Sequence, residues 1–140
     1  MSVRLPHHAA SVAAARHRIR KAMADRHVGR RLADDVSLVL SELVTNSVRH
    51  AHPLSHGYLE VAWDVSPDMV EVRVTDGGGE HVPQPRGAGA DESSGRGLAI
   101  VTKLATAWGV EDGPAGTTVW ALVRANGLHP APSGRLKMAR

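Results

Sequence analysis

The chain has 140 residues, a net charge of +3, 42% hydrophobic residues and only 3% aromatics, enough for one domain whose core is built from Val, Leu, Ile and Ala. With no cysteine, disulfides and thiolate metal sites are excluded. No run approaches the roughly 20 apolar residues of a membrane span, and the N-terminus lacks the apolar centre of a secretion signal, so a cytoplasmic protein is expected. The isoelectric point of about 9.9 is basic, but no aromatics alternate with the basic residues as a single-strand groove requires, so direct nucleic-acid binding is not expected.

In chain order, Val3 and Leu5 suggest a short edge strand ahead of Pro6. From Ser11, a plausible N-cap, Val12, Ala15, Ile19, Ala22 and Met23 recur at helical spacing, and this first helix is expected to end near His27. Asp34 or Asp35 is expected to cap a second helix running to about His50. Val36, Val39, Leu40, Leu43, Val44 and Ser47 form its apolar stripe, while Glu42, Asn46 and His50, each four residues apart, form a separate line. Tyr58–Val65 and Met69–Thr75 alternate as strands, joined by a tight turn at Ser66-Pro67-Asp68.

The second of these strands runs into Asp76-Gly77-Gly78-Gly79. The Gly- and Pro-rich stretch to residue 95 predicts a long loop, expected to be mobile without ligand. Residues 96–107 predict a third helix on the stripe Leu98, Val101, Leu104 and Ala105. Trp108–Val110 and Thr117–Val123 predict two final strands, and 125–140 a basic tail that frays. The expected fold class is α/β: a two-layer sandwich with a mostly antiparallel, mixed sheet covered on one face by about three helices, formed by residues 1–124.

Four places carry chemistry. The Glu42/Asn46/His50 line either belongs to an ordinary amphipathic helix or walls a polar pocket. There, Asn46 would offer a carbonyl oxygen to Mg²⁺ and Glu42 would accept a proton. Asp76 is either a strand-ending turn residue or a carboxylate that accepts from an exocyclic amine, with Gly78 admitting a ring to the backbone. Gly95-Arg96-Gly97-Leu98, expected just before a helix, would present amides to phosphate. Thr117 is either a turn exit or a hydroxyl beside Asp76 that shares a water with a base. His7-His8 and His50/His52 lack the carboxylate partner a zinc site would need.

These places fall in four ordered motifs, ELVTNSVRHA (42–51), VTDGGG (74–79), SGRGLAIV (94–101) and GTTVW (116–120). Together they resemble the ATP-binding domain of the GHKL superfamily, shared by DNA gyrase, the ninety-kilodalton heat-shock chaperones, sensor histidine kinases and mismatch-repair ATPases. Within it, the chain is most similar to the small anti-sigma-factor serine/threonine kinases and their actinobacterial single-domain relatives, over about residues 3–124.

The resemblance implies a Bergerat-type fold and ATP with Mg²⁺ as cofactors. It makes Glu42 the catalytic base, Asn46 the Mg²⁺ ligand and Asp76 the reader of the adenine amine. Gly78 and Thr117 would lie beside the base, and Gly95, Arg96, Gly97 and Leu98 would close over phosphate. The implied function is phosphorylation of an antagonist protein. An anti-anti-sigma-like protein or a sigma factor would be the partner, and a homodimer is an allowed assembly. The alternative is a protein-binding module without turnover. Two departures stand out: Glu80 takes the last glycine place of the usual Asp-x-Gly-x-Gly motif, and residues 80–94 carry no Lys.

Overall fold

The computed structural model describes residues 1–79 and 92–125, with the backbone alone over 92–97. Residues 80–91 of the loop 80–94 expected to be mobile, with the Glu80 position, and the tail from 126 lie outside the described residues, as does the Arg96 side chain. The elements are β1 (Ser2–Pro6), α1 (Ala10–Asp25), α2 (Arg30–His50), β2 (Tyr58–Ser66), β3 (Met69–Asp76), α3 (Glu92–Leu104), β4 (Ala107–Gly113) and β5 (Gly116–Arg124), with one 3-10 turn at Ser55–Gly57.

The strands form one sheet in the order β1-β2-β3-β5-β4, and every neighbouring pair is antiparallel. The helices cover one face. α2 lies centrally over β3 and β5, with α1 on one side above β1 and β2, and α3 on the other beside β4. This is the two-layer α/β sandwich that the element order predicted.

The apolar alternation fixes the register. Val61 stands opposite Val74, Trp63 opposite Val72 and Val65 opposite Val70, so the two runs share one sheet face. Val119, Ala121 and Val123 of β5 continue that face, opposite Val74, Val72 and Val70. Onto it packs the α2 stripe, with Val36, Val39, Leu40 and Val44 all 0% exposed. Ser37 and Ser41 also lie on the buried side, where each hydroxyl donates to the carbonyl four residues back at 2.8 Å and so leaves no orphan polar atom. On the other face Arg73 bridges Asp64 at 2.9 Å and Glu71 at 3.5 Å, and Trp120 stands between Arg73 and Gly109 in the register.

Element ends differ from the sequence reading where a tertiary contact outweighs a local signal. Ser11 is not the α1 cap. It lies in the first turn, donating its hydroxyl to the Pro6 carbonyl at 2.5 Å, while His8 Nδ1 accepts the Ala10 N–H at 3.1 Å. α2 starts at Arg30 with Gly29 as its cap, not at Asp34 or Asp35, because the stripe extends back to buried Leu32. Asp34 instead pairs with Arg20 of α1 at 2.8 Å. α3 starts at Glu92, inside the stretch expected to be loop, and ends at Leu104. The burial of Leu98 and Val101, both 0% exposed, outweighs the roughly 1 kcal/mol that each helical glycine costs. β4 reaches Gly113, beyond Val110, because its ladder with β5 continues through Glu111 and Asp112 although these side chains break the apolar pattern.

Leu40→Ala should destabilise the fold by about 2–5 kcal/mol in denaturant unfolding, since it empties a closed part of the core. The exposed Arg20–Asp34 pair should show a double-mutant coupling below about 1 kcal/mol.

Candidate functional site

The site is built where the C-terminal half of α2 meets the ends of β3 and β5. Buried Ser47 turns α2 toward Asp76, the last residue of β3, and both are nearly sealed at 4% and 5% exposure. Asp76 Oδ1 accepts the Gly78 N–H at 2.8 Å. Burial is the largest influence on this carboxyl and raises its pKa. The Ser47 hydroxyl beside it, the Gly78 N–H and the charges of His7 and His52 act in the opposite direction without reversing the rise. The Ser47 hydroxyl completes no hydrogen bond of full geometry and remains a buried group without a partner. His7, from the β1–α1 connection, reaches the same corner, its Nε2 lying 2.9 Å from the Ser47 carbonyl.

One residue back on α2, Asn46 is half-buried, and its Nδ2 is likewise buried with no partner. An orphaned buried amide costs roughly 1–3 kcal/mol. An orphaned amide at Asn46, next in the helix to a Ser47 hydroxyl that lies beside a carboxyl raised by burial, marks a place shaped for a polar ligand. Glu42 is half-buried one turn earlier, and His50 is exposed at the end of the line.

The glycines hold this corner together. His52 donates its N–H to the Gly78 carbonyl, and Gly77 donates its N–H to the His52 carbonyl, both at 2.7 Å. A Cβ on Gly77 would run into the Pro53 carbonyl. Gly78 has φ +84 and lies against Thr117, so a Cβ there would be 2.9 Å from the Thr117 hydroxyl oxygen. The run after Asp76 is therefore both a strand end and a backbone clamp on the exit of α2.

Thr117 stands directly opposite Asp76 in the β3–β5 register, as the sequence reading required. Its hydroxyl proton, however, goes to Asp112 Oδ1 on β4, at 2.7 Å. Asp112, Ser47 and His7 were not singled out as site residues from the sequence. Asp112 was legible in principle, because a hairpin closing between Gly113 and Gly116 places residues 112 and 117 opposite each other.

The glycine-rich segment before α3 is placed differently from expectation. A helix leaves its first four N–H groups, counted from its N-cap, without helical partners, so with α3 starting at Glu92 the last of these is Ser94. Gly95, Arg96, Gly97 and Leu98 all fall within the helical ladder, and the Leu98 side chain is core.

A family model, the histidine kinase-like ATPase domain, matches residues 5–123. The chain belongs to that family. No curated protein matches it. Among solved structures, the chain is similar to the histidine kinase domain from the Erythrobacter litoralis EL346 blue-light activated histidine kinase, at 20% identity and a TM-score of 0.48, covering 91% of this chain and 64% of that one. The chain thus spans less than two thirds of that structure.

Histidine kinase-like ATPase domains generally bind ATP with Mg²⁺, and the residues of this one fit the pair. Asp76 and Thr117 offer acceptors to a base, and Asn46 offers one amide oxygen to a cation. Among the described residues no cluster of three or more His, Asp or Glu side chains could hold a metal. No described helix is long and apolar enough to cross a membrane.

Two outcomes test the corner. Gly77→Ala should destabilise the domain by about 1–3 kcal/mol, because backbone rather than a movable side chain occupies the space. For Asp76, a folded pKa above the unfolded value of 3.8 means the folded state holds the proton more tightly. Its contribution is then present at pH values below the unfolded pKa and is lost as pH rises through the raised one. Asp76→Asn should therefore gain stability relative to the parent as pH climbs from about 4 to 7, read by denaturant unfolding at each pH.

Proposed function

We propose that this domain binds ATP with Mg²⁺ and phosphorylates a Ser or Thr of an antagonist protein, in the manner of an anti-sigma-factor kinase, with an anti-anti-sigma-like protein or a sigma factor as partner. The observation that carries the nucleotide half is the corner where the Ser47 hydroxyl lies beside the buried Asp76 carboxyl, with the unpartnered, buried Asn46 amide nitrogen at the adjoining position of α2. The kinase half rests on the resemblance of ELVTNSVRHA (42–51) and on the half-buried position of Glu42 one helical turn from Asn46.

In this reading Asp76 accepts from the exocyclic amine of adenine and rejects a base with a carbonyl there. Asn46 holds the metal through its amide oxygen. Bound Mg²⁺ supplies charge neutralisation on the phosphates. Glu42 takes the proton of the attacking hydroxyl as its oxygen bonds to the γ-phosphorus, the bond from that phosphorus to the β–γ bridging oxygen breaks, and ADP leaves. Gly95, Arg96, Gly97 and Leu98 keep their proposed place beside the phosphates, in the first turns of α3. A second reading, partner binding without turnover, is favoured by Glu80, a carboxylate in the place of a motif glycine that would stand against phosphate charge.

Titration with ATP-Mg²⁺ and initial rates of transfer to a cognate acceptor, for parent, Glu42→Ala and Asn46→Ala, separate these readings. Asn46→Ala should lose metal-dependent binding and transfer together. Glu42→Ala should keep ATP affinity within a few-fold while transfer falls by roughly 10²–10⁴. Unchanged transfer in Glu42→Ala removes that residue from the chemistry. A parent protein that binds its partner yet never transfers phosphate establishes the second reading.

A further inference from the structure

Resting on the proposed nucleotide site, we infer that Asp112 is the positioning residue that makes the pocket read an amine rather than a carbonyl, by holding the Thr117 hydroxyl as an acceptor. The observation is a row of three side chains across adjacent strands. Asp76 on β3 stands opposite Thr117 on β5, and Thr117 stands opposite Asp112 on β4. All three project from the helix-covered face, in step with Val74, Val119 and Val110 two residues away on their strands.

A Thr hydroxyl has one proton and two lone pairs, and in a free pocket it rotates to suit its ligand. Here the proton is committed. Thr117 Oγ1 donates to the exposed Asp112 Oδ1 at 2.7 Å, the length of a hydroxyl–carboxylate bond. Only lone pairs remain on Thr117 for anything that approaches over Gly78, the residue whose missing side chain leaves that oxygen uncovered. Asp76 Oδ1 accepts the Gly78 N–H, and as a carboxylate the group offers a base lone pairs and no proton.

Two acceptors on neighbouring strands thus face one place. Strands lie about 4.8 Å apart. Two acceptors that share the hydrogens of one planar amine, each at about 2.9 Å, are separated by about 5 Å. A base with an amine at this position satisfies both, directly or through a water. A base with a carbonyl there sets lone pairs against lone pairs, and Thr117 cannot turn its proton to meet it while Asp112 holds that proton. Asp112 touches no ligand in this arrangement; it acts through Thr117.

Affinities for ATP and for ITP, whose bases present a 6-amine beside a bare N1 and a 6-carbonyl beside a protonated N1, test this in the intact protein. The parent should prefer ATP. Asp112→Ala frees the Thr117 rotor to donate, so the ATP-to-ITP preference should fall by about tenfold, the weight of one hydrogen bond. Asp112→Asn keeps a side-chain oxygen to accept the Thr117 proton and should retain most of the preference. In a Thr117→Val background, adding Asp112→Ala should leave the preference where Thr117→Val alone puts it. If Asp112→Ala weakens ATP and ITP equally, Asp112 only braces the hairpin and the inference is overturned. It is equally overturned if Asp112→Ala still shifts the preference in the Thr117→Val protein. Both of those outcomes leave the nucleotide reading intact. A parent that binds ATP and ITP alike overturns amine reading at Asp76 as well, and a parent that binds neither removes the proposed function itself.

Discussion

The site depends on the backbone clamp between the exit of α2 and the turn after β3. Two hydrogen bonds of 2.7 Å, His52 N–H to Gly78 and Gly77 N–H to His52, fix the distance between a helix end and a strand end that are far apart in sequence. The clamp closes only because Gly77 has no side chain to meet the Pro53 carbonyl. Once it is closed, Asn46 and Ser47 on the last turns of α2 are held at the level of Asp76. A single methyl group at residue 77 would move the helix that carries one half of the site away from the strand that carries the other.

One helix serves two purposes. Its stripe from Leu32 to Val44 fills the core over β3 and β5, while Glu42 and Asn46 line the open side of the same turns. Buried serines on the stripe are harmless where their hydroxyls return to the helix, as at Ser37 and Ser41. Ser47 is the exception. It lies next to Asp76, makes no complete hydrogen bond, and adds a second orphan to that of Asn46. A fold under selection for stability alone would have little reason to keep both beside a carboxyl raised by burial. The core stabilises the helix strongly enough to tolerate them.

The hairpin at the sheet edge adds a part that the motifs do not mention. β4 and β5 pair to their very ends, and this places Asp112 beside Thr117. The floor of the site is therefore a row of carboxylate, hydroxyl and carboxylate rather than a lone aspartate. The proton on the middle group has its place fixed by the outer strand.

Much of this was legible in the chain. The apolar stripe of α2 and the alternation in β2 and β3 depend on period alone, and period fixes which face is buried whatever the neighbours are. The four ordered motifs showed the family and pointed to Glu42, Asn46, Asp76 and Thr117 before any coordinates. Element ends were less legible, since they depend on partners distant in sequence. Ser11 left its expected cap for the Pro6 carbonyl, Asp34 left its for Arg20, and Leu98 and Val101 drew the α3 helix back through two glycines. The destination of a single proton was least legible. A Thr at a strand start reads the same whether its hydroxyl serves Asp76 or Asp112, because both lie one strand away. Only the closed sheet, with β5 between β3 and β4, decides which carboxylate receives the proton and leaves the other free.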